Sequence, residues 1–428
     1  MSATQKRIVI TGMAINTPIG DTLDAYYENL VAGKSAITKW RFFDTGPCLS
    51  KIGGDLSDYD PSAKMAEFKE KLPADAHKRL RKLVKKAPLS TKLSLLCATD
   101  AYLDSGLSSD LDPTRTGVIV GGHNLHNNLF YNNTLQYEEE PEYIDSMLAL
   151  HFLDTDVASS VGEALGFRGS TFTVGGACAS ANIAMRSALD EIRCHDQDVV
   201  FVTGAPLDFS PVDLQAMAIL GAISYNSFNE DPEAASRPYD LGREGFIPSH
   251  GSAVLVVEEL EHALKRNAKI YAEVLGVTTQ SDGCHLPTPS VDGQSRTMAK
   301  LLKTTGVRPE QVDYINAHAT STPLGDRTEL ASIKKIFGDH AKKVKINAPK
   351  SMLGHTCWSA PVVETVAAIL QMKNSKLHPS INIDNLDPEI DVDVCANKAV
   401  DLNINYFMKN SFGFGGINCC SLYKKYEG

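Results

Sequence analysis

At 428 residues, 43% of them apolar, the chain can form about two to three domains or one large duplicated one around a sizeable core. A formal net charge of −10 excludes a general affinity for nucleic acid. No apolar run reaches membrane-spanning length, and the start, Met1-Ser2-Ala3-Thr4-Gln5-Lys6-Arg7, runs straight into a strand without a secretory segment. Nine cysteines with no CxxC pair and no ligand spacing fit a reducing cytoplasm rather than a disulfide framework or a zinc site.

In chain order, Arg7 to Ala14 reads as an apolar strand, and Asp21 to Ala32 as a helix capped by Asp21 or Thr22. Residues 40–76 read as irregular and polar. From His77 the chain turns basic, with Lys78, Arg79, Arg81, Lys82, Lys85, Lys86 and Lys92 in fifteen residues. Such a run is either a solvated face or a landing site for an acidic partner. Pro88 breaks or begins a helix, and Leu89 to Leu103 reads as a buried one. Gly117 to Val120 is a strand. The polar cluster His123-Asn124-Leu125-His126-Asn127-Asn128 reads as a surface loop, as pocket lining or as part of a subunit contact. Thr155 to Ala164 is helical, Asp198 to Gly204 is a fully buried strand suited to a parallel sheet, and Asp208 to Ile223 carries a helix. A loop holds Arg237-Pro238-Tyr239-Asp240 and Glu244-Gly245-Phe246. Ser252 to Glu258 is a strand, followed by a short helix from Glu259 to Arg266.

A second α/β series opens with the strand Lys269 to Val277. It continues through helix Ser295 to Thr304, strand Val312 to Asn316, helix Asp326 to Phe337, strand Val344 to Asn347 and helix Pro361 to Lys373. A hairpin of Asn405 to Ser411 and Cys419 to Tyr426 closes the chain. The repeated logic suggests two related α/β halves, 1–258 and 259–428.

The stretch Thr173-Val174-Gly175-Gly176-Ala177-Cys178-Ala179-Ser180-Ala181-Asn182 organises the rest. A β-branched run precedes it, and a helical pattern of Ile183, Met185, Ala188, Leu189 and Ile192 follows. Cys178 therefore belongs on a sharp strand-to-helix turn. There the helix N-terminus favours a thiolate and small neighbours admit a substrate. The alternative is a buried, inert cysteine. Three later segments also sit at strand ends, where open α/β sheets bind ligands. They are Asn316-Ala317-His318-Ala319-Thr320-Ser321-Thr322, Lys350-Ser351-Met352-Leu353-Gly354-His355 and Asn410-Ser411-Phe412-Gly413-Phe414-Gly415-Gly416.

Together these motifs resemble the β-ketoacyl-acyl carrier protein synthases, condensing enzymes of thiolase fold, and most of all the synthase II type and its polyketide relatives. The resemblance covers nearly the whole chain. It implies an α/β fold in which two βα halves are layered αβαβα. It implies decarboxylative Claisen condensation of an acyl thioester on Cys178 with malonyl-acyl carrier protein. His318 and His355 would be the catalytic imidazoles, and Lys350, paired with Glu364, would support them. Phe414 would gate the cysteine, and Thr320, Thr322 and Gly415 would bind substrate. Lys78, Arg79, Arg81, Lys82 and Lys85 would dock the carrier. It implies no metal and no cofactor beyond the carrier's phosphopantetheine arm. The expected partner is a second subunit, either an identical one or a homologous chain-length factor, and the expected place is the cytoplasm.

The motif chemistry fits. A thiolate attacks a thioester and leaves again, which serine does poorly. Two neutral imidazoles can donate hydrogen bonds to an enolate oxygen, and backbone N–H groups of Cys178 and Phe414 can hold a tetrahedral oxyanion. The chain also departs from the family. His318-Ala319-Thr320 replaces His-Gly-Thr, Thr356-Cys357-Trp358-Ser359-Ala360-Pro361 replaces a glycine-rich run, and His250 stands where an acid is common. With the polar 123–128 loop, these point to an unsaturated or oxygenated acyl chain in a specialised polyketide pathway. Rival readings are a degradative thiolase, a cysteine hydrolase and a non-condensing partner or decarboxylase subunit. The first lacks its second cysteine motif, since Cys419-Cys420 stand there instead. The second leaves two histidines unexplained, and the third usually lacks the nucleophile.

Overall fold

The computed structural model describes residues 6–107 and 111–428. The reading of the amino terminus rests partly on Met1 to Gln5, which lie outside the described residues. A ten-stranded sheet forms the frame. Its strands run in space as Lys345–Asn347, Tyr314–Asn316, Tyr406–Gly413, Ile417–Lys424, Ala272–Ser281, Ile8–Asn16, Ser252–Glu259, Val199–Gly204, Thr116–Gly121 and Thr171–Val174. The sheet is mirrored about the antiparallel pair Ile8–Asn16 and Ala272–Ser281, where Val9 faces Glu273. Outward from that seam, each side shows its first, fifth, fourth, second and third strand. Each side has the same directions: the outer three parallel, the inner pairings antiparallel.

Strands buried on both faces must read as unbroken apolar runs, and Ile8–Asn16 and Val199–Gly204 are buried at every position. The faces are covered in five layers. Helices Ser180–Cys194 and Ala360–Asn374 form the middle one. Ala184, Met185, Ala188, Val363, Val366 and Ala367 share one core with Ile10, Val200 and Val257. Leu89–Ser105 and Thr155–Leu165 cover the outer face of the first half, over Val118, Val120 and Phe201. Val291–Thr305 and Pro323–Phe337 cover the outer face of the second, over Ile315, Ile346 and Met408. The middle helix Ala360–Asn374 is buried from Ala360 to Met372. It thus lacks a polar face, which a helix pressed between the two halves of the sheet cannot use.

Three expectations change. Residues 40–76 are not wholly irregular. Pro61–Lys71 is a helix capped by the Asp60 carboxylate on the Ser62 N–H, and it buries only Lys64 and Phe68. With so little apolar surface it carries no periodic signal. The helix expected over 208–223 shortens to Pro211–Ile219, because Ser210 and Asp213 form a capping box that sets its start. The 123–128 segment is no surface loop. His126 is fully buried, with Nε2 3.8 Å from Asp156 Oδ2, and His151 Nδ1 lies 3.1 Å from the same oxygen.

Candidate active site

Cys178 lies on a one-turn 3-10 segment, Ala177–Ala179, between strand Thr171–Val174 and helix Ser180–Cys194. The turn is tight: Ala177 takes a left-handed φ of 47°. The Ser180 hydroxyl accepts from the Gly176 N–H at 2.9 Å and donates to the Ala177 carbonyl at 2.7 Å. The thiol is buried, and burial pushes its pKa up to about 12. The Lys350 charge and hydrogen bonds from the backbone N–H groups of Cys178 and Phe414 pull it back only in part. The expected thiolate at rest is therefore not found: desolvation outweighs the helix N-terminus, and the sulfur waits protonated.

The terminal hairpin folds over the cysteine turn, which puts the Phe414 N–H on the sulfur's side. Gly413 ends strand Tyr406–Gly413 so close that a Cβ there would stand 2.7 Å from the Gly176 carbonyl oxygen and 3.3 Å from the Cys178 nitrogen. Only glycine fits. Gly415, with φ of 81°, makes the turn. It has nothing within 4 Å of a Cβ, and the cavity wall is made by Gly413, Phe414 and Gly416 rather than by Gly415. Phe414 is 39% exposed and lines the cavity.

The second half brings two imidazoles to the same place. His318 follows strand Tyr314–Asn316. Its loop is held by Glu329, whose carboxylate accepts from the His318 N–H at 2.9 Å and the Ala319 N–H at 2.8 Å. Ala319 sits at φ 27°, so the methyl that departs from the family's glycine is carried in a strained, left-handed backbone that this clamp maintains. His355 is anchored through its N–H to the Ile247 carbonyl at 2.7 Å. Its Nδ1 accepts the Cys357 N–H at 3.2 Å, and its Nε2 has no hydrogen-bond partner. In the neutral ring the proton must then be on Nε2, leaving that N–H free to donate. The two rings stand edge to face, 5.4 Å apart. Burial first, then the Lys350 charge, push both imidazoles well below their ordinary pKa, so both are neutral. The Cys178 sulfur and one nitrogen of each imidazole all lie within 4.8 Å of one another.

Residues 5–263 match the β-ketoacyl synthase N-terminal domain, and residues 271–384 the C-terminal domain of the same family. This chain belongs to the β-ketoacyl synthases. It is similar, at 34% identity over 97% of both chains, to the 3-oxoacyl-[acyl-carrier-protein] synthase 2 of Coxiella burnetii. It is similar, at 34% over 97% of this chain and 85% of the other, to the chloroplastic 3-oxoacyl-[acyl-carrier-protein] synthase I of Arabidopsis thaliana. Among solved structures, the ishigamide ketosynthase/chain length factor aligns with a TM-score of 0.88 at 28% identity, covering 99% of this chain and 100% of that one. A type II polyketide ketosynthase, solved with its acyl carrier protein and bound to a hexaketide, aligns at 0.87 and 27% with the same coverage. The synthase is therefore an acyl-transferring condensing enzyme of thiolase-like fold.

A cavity of about 230 Å³ reaches Cys178, His318 and His355 of the synthase from outside. Thr320 and Thr322 line it, with their hydroxyls 3.1 Å apart. Lys350 and Glu364 form a buried ion pair behind the imidazoles. Lys78, Arg79, Arg81, Lys82 and Lys85 share the helix Ala74–Lys86 and line one surface groove with Lys92 and the opposing Glu163. Arg79 also donates to the Ala164 carbonyl at 3.0 Å, so it has a structural duty.

Residue reading missed three participants, Glu329, Cys357 and Lys409, and named His123 without its partner. Glu329 is the clamp already described, and Cys357 orients His355. Lys409 is a second fully buried lysine on Glu364, at 2.5 Å. His123 stacks on Trp358 with ring centroids 4.2 Å apart and lies 3.3 Å from where a Gly175 Cβ would be. A lysine inside an apolar strand, Phe407-Met408-Lys409, was the one signal that could have been caught.

Proposed function

We propose that the synthase condenses an acyl group held on Cys178 with a malonyl group delivered by acyl carrier protein. In the first step the sulfur attacks the acyl thioester of one carrier. The new S–acyl bond forms as the pantetheine C–S bond breaks, and the proton from Cys178 ends on the departing thiol. In the second step malonyl thioester loses CO2. The electron pair left behind forms an enolate, whose oxygen takes hydrogen bonds from His355 Nε2–H and His318. The enolate carbon attacks the acyl-Cys178 carbonyl, whose oxygen rests on the N–H groups of Cys178 and Phe414. Collapse expels the Cys178 sulfur, which takes up a proton. Thioester exchange and decarboxylation at a thioester need neither redox chemistry nor a metal, so no cofactor enters this reading.

One observation carries it: the Cys178 sulfur and one nitrogen of each of two neutral imidazoles lie within 4.8 Å of one another, and His355 keeps a free Nε2–H. Burial first, then the Lys350 charge, disfavour an imidazolium here, and a neutral donor in a dry site stabilises an enolate well. In the same reading, the half up to 258 supplies the nucleophile and the half from 259 supplies the histidines. Thr320 and Thr322 hold the pantetheine arm, the Lys78–Lys85 face docks an acidic carrier, and the enzyme works in the cytoplasm. Helix Asn127–Glu139 buries none of its residues, and Leu135, Tyr137, Phe152 and Ile219 stand at least half exposed. Such an apolar face suits a second subunit. The preference for an unsaturated or oxygenated acyl chain rests on the sequence departures alone, since His123, His126 and Trp358 do not line the cavity that reaches Cys178. A non-condensing subunit is not favoured, because Cys178 and both imidazoles are in place.

The test is intact-mass and peptide mass spectrometry after incubation with acyl carrier protein loaded with acyl and malonyl groups. An acyl adduct on Cys178 that disappears when malonyl carrier is added, with a β-ketoacyl product and CO2, supports the reading. No adduct, or an adduct released only as free acid, refutes it.

A further inference from the structure

Lys409 stands on strand Tyr406–Gly413 with no exposure to solvent, four residues before Gly413. Its ammonium lies 2.5 Å from Glu364 Oε2 and donates to the Asn410 carbonyl. Both contacts are acceptors, as an ammonium requires. Lys350 holds the other oxygen of Glu364, so one buried carboxylate is shared by two buried lysines. A single pair would have satisfied Glu364, and burying a second cation is costly unless something balances it.

The balance is Glu329. It is 2% exposed, and among the described residues no lysine or arginine forms an ion pair with it. It accepts three neutral N–H donors: His318 N, Ala319 N and Asn410 Nδ2, the last at 3.0 Å. Asn410 follows Lys409 in the chain, so the strand that brings the second lysine also touches the second carboxylate. The charged groups nearest the imidazoles are two lysines, Lys350 and Lys409, and two carboxylates, Glu364 and Glu329; farther out, Asp326 is paired with Arg243 at 3.4 Å and the half-buried Asp282 lines the cavity. The thiol of Cys178 faces both rings, the thiol of Cys357 lies beside His355, and the flanking side chains Phe246 and Phe412 carry no charge. Two positive and two negative charges cancel. Without Lys409 the surroundings would carry one net negative charge, which favours imidazolium.

We propose that Lys409 is a positioning residue whose charge offsets Glu329 and so keeps His318 and His355 as neutral hydrogen-bond donors. The inference rests on the condensing reading, in which those donors hold the enolate. Protonation would also cost geometry: His355 Nδ1 would have to carry a proton and lose the Cys357 N–H it now accepts. The direction of the electrostatics agrees, since Lys409 adds to Lys350 in pushing both imidazoles down.

The experiment measures malonyl-carrier decarboxylation and condensation against pH for the full chain, for Lys409→Met and for the double variant Lys409→Met/Glu329→Gln. Methionine keeps the length of the stem and removes the charge. Its acidic limb is expected to move up by about one pH unit, so that activity falls about tenfold near the old limb and little at alkaline pH. The double variant restores the balance and should return the limb toward its original position. An unmoved limb in a folded Lys409→Met, or a double variant no closer to the parent, overturns the proposal. Should the single variant not fold, Lys409→Gln takes its place, read by imidazole 15N NMR. Rings that take up a proton at a higher pH than in the parent support the assignment, and an unmoved ring titration refutes it. Absence of any acyl-Cys178 in the unaltered protein would instead sink the condensing reading, and the NMR titration would still stand by itself.

Discussion

Gly413→Ala should separate geometry from folding more cleanly than any change to the reacting groups. The added Cβ would lie 2.7 Å from the Gly176 carbonyl oxygen and 3.3 Å from the Cys178 nitrogen. A relaxed C···O contact is about 3.3 Å, so hairpin and cysteine turn must separate by about 0.6 Å. That movement lengthens the hydrogen bond from the Phe414 N–H to the site on Cys178 by a similar amount. A donor drawn out from about 2.9 to about 3.5 Å contributes little. Complete loss of one oxyanion donor costs about 100- to 1000-fold in rate, so a partial loss should lower condensation about 10- to 100-fold. Backbone strain is not at issue, because Gly413 lies in a strand with no left-handed φ. Overpacking should cost about 1–3 kcal/mol of stability, visible as a modest fall in melting temperature. The assay is single-turnover condensation on preformed acyl-enzyme, with Gly415→Ala as the comparison. Position 415 has open space but a φ of 81°, so it should lose stability and keep most of its rate. Parental turnover in Gly413→Ala, or an equal rate loss in Gly415→Ala, would refute the assignment of the Phe414 N–H.

Cys178→Ala should abolish acylation and condensation yet leave malonyl decarboxylation measurable, because the enolate is held by the imidazoles; loss of CO2 release in that variant would contradict the division of labour. His355→Ala should lower decarboxylation about 100- to 1000-fold while acyl transfer to Cys178 suffers less, a difference that stopped-flow release of CO2 and mass spectrometry can read separately. Reversing the exposed Lys82 and Lys85 to glutamate should weaken carrier binding about tenfold at low salt and flatten its salt dependence, while kcat at saturating carrier is kept; calorimetric titrations that match the parent would reject the docking face. Burial holds His126, His250 and His378 down to about 4, below their unfolded value of about 6.5. Between those values the unfolded chain binds more protons, so stability should fall as pH drops, by about 1.4 kcal/mol per pH unit for each ring. Melting curves from pH 6.5 to 4.5 should show a shallower fall for His250→Gln, and an identical slope would argue against that burial.

Much of the architecture was legible before any coordinates. Unbroken apolar runs such as Val199-Val200-Phe201-Val202 declare strands buried on both faces, and glycine-rich segments at their ends mark where a backbone must approach another. The cysteine turn, both histidine segments and the final hairpin could be placed because each combines a strand period with a breaker. Helix Pro61–Lys71 could not, since it buries only two side chains and so leaves no periodic trace.

What the amino-acid order determined alone was which local pieces exist and which reactive side chains each piece carries: a thiol on one turn, imidazoles on two others, lysines on a basic helix. What only the tertiary structure decided was their electrical state. The helix N-terminus predicted an ionised sulfur, but burial in a closed core overrides a half-charge at a helix end, and the thiol rises to about 12. Likewise nothing in the spacing of Lys350, Glu364 and Lys409 pairs them. Strand Tyr406–Gly413 and helix Ala360–Asn374 lie apart in sequence and meet in the interior, and solvation, unlike strand and helix period, is a property of that interior rather than of neighbouring residues.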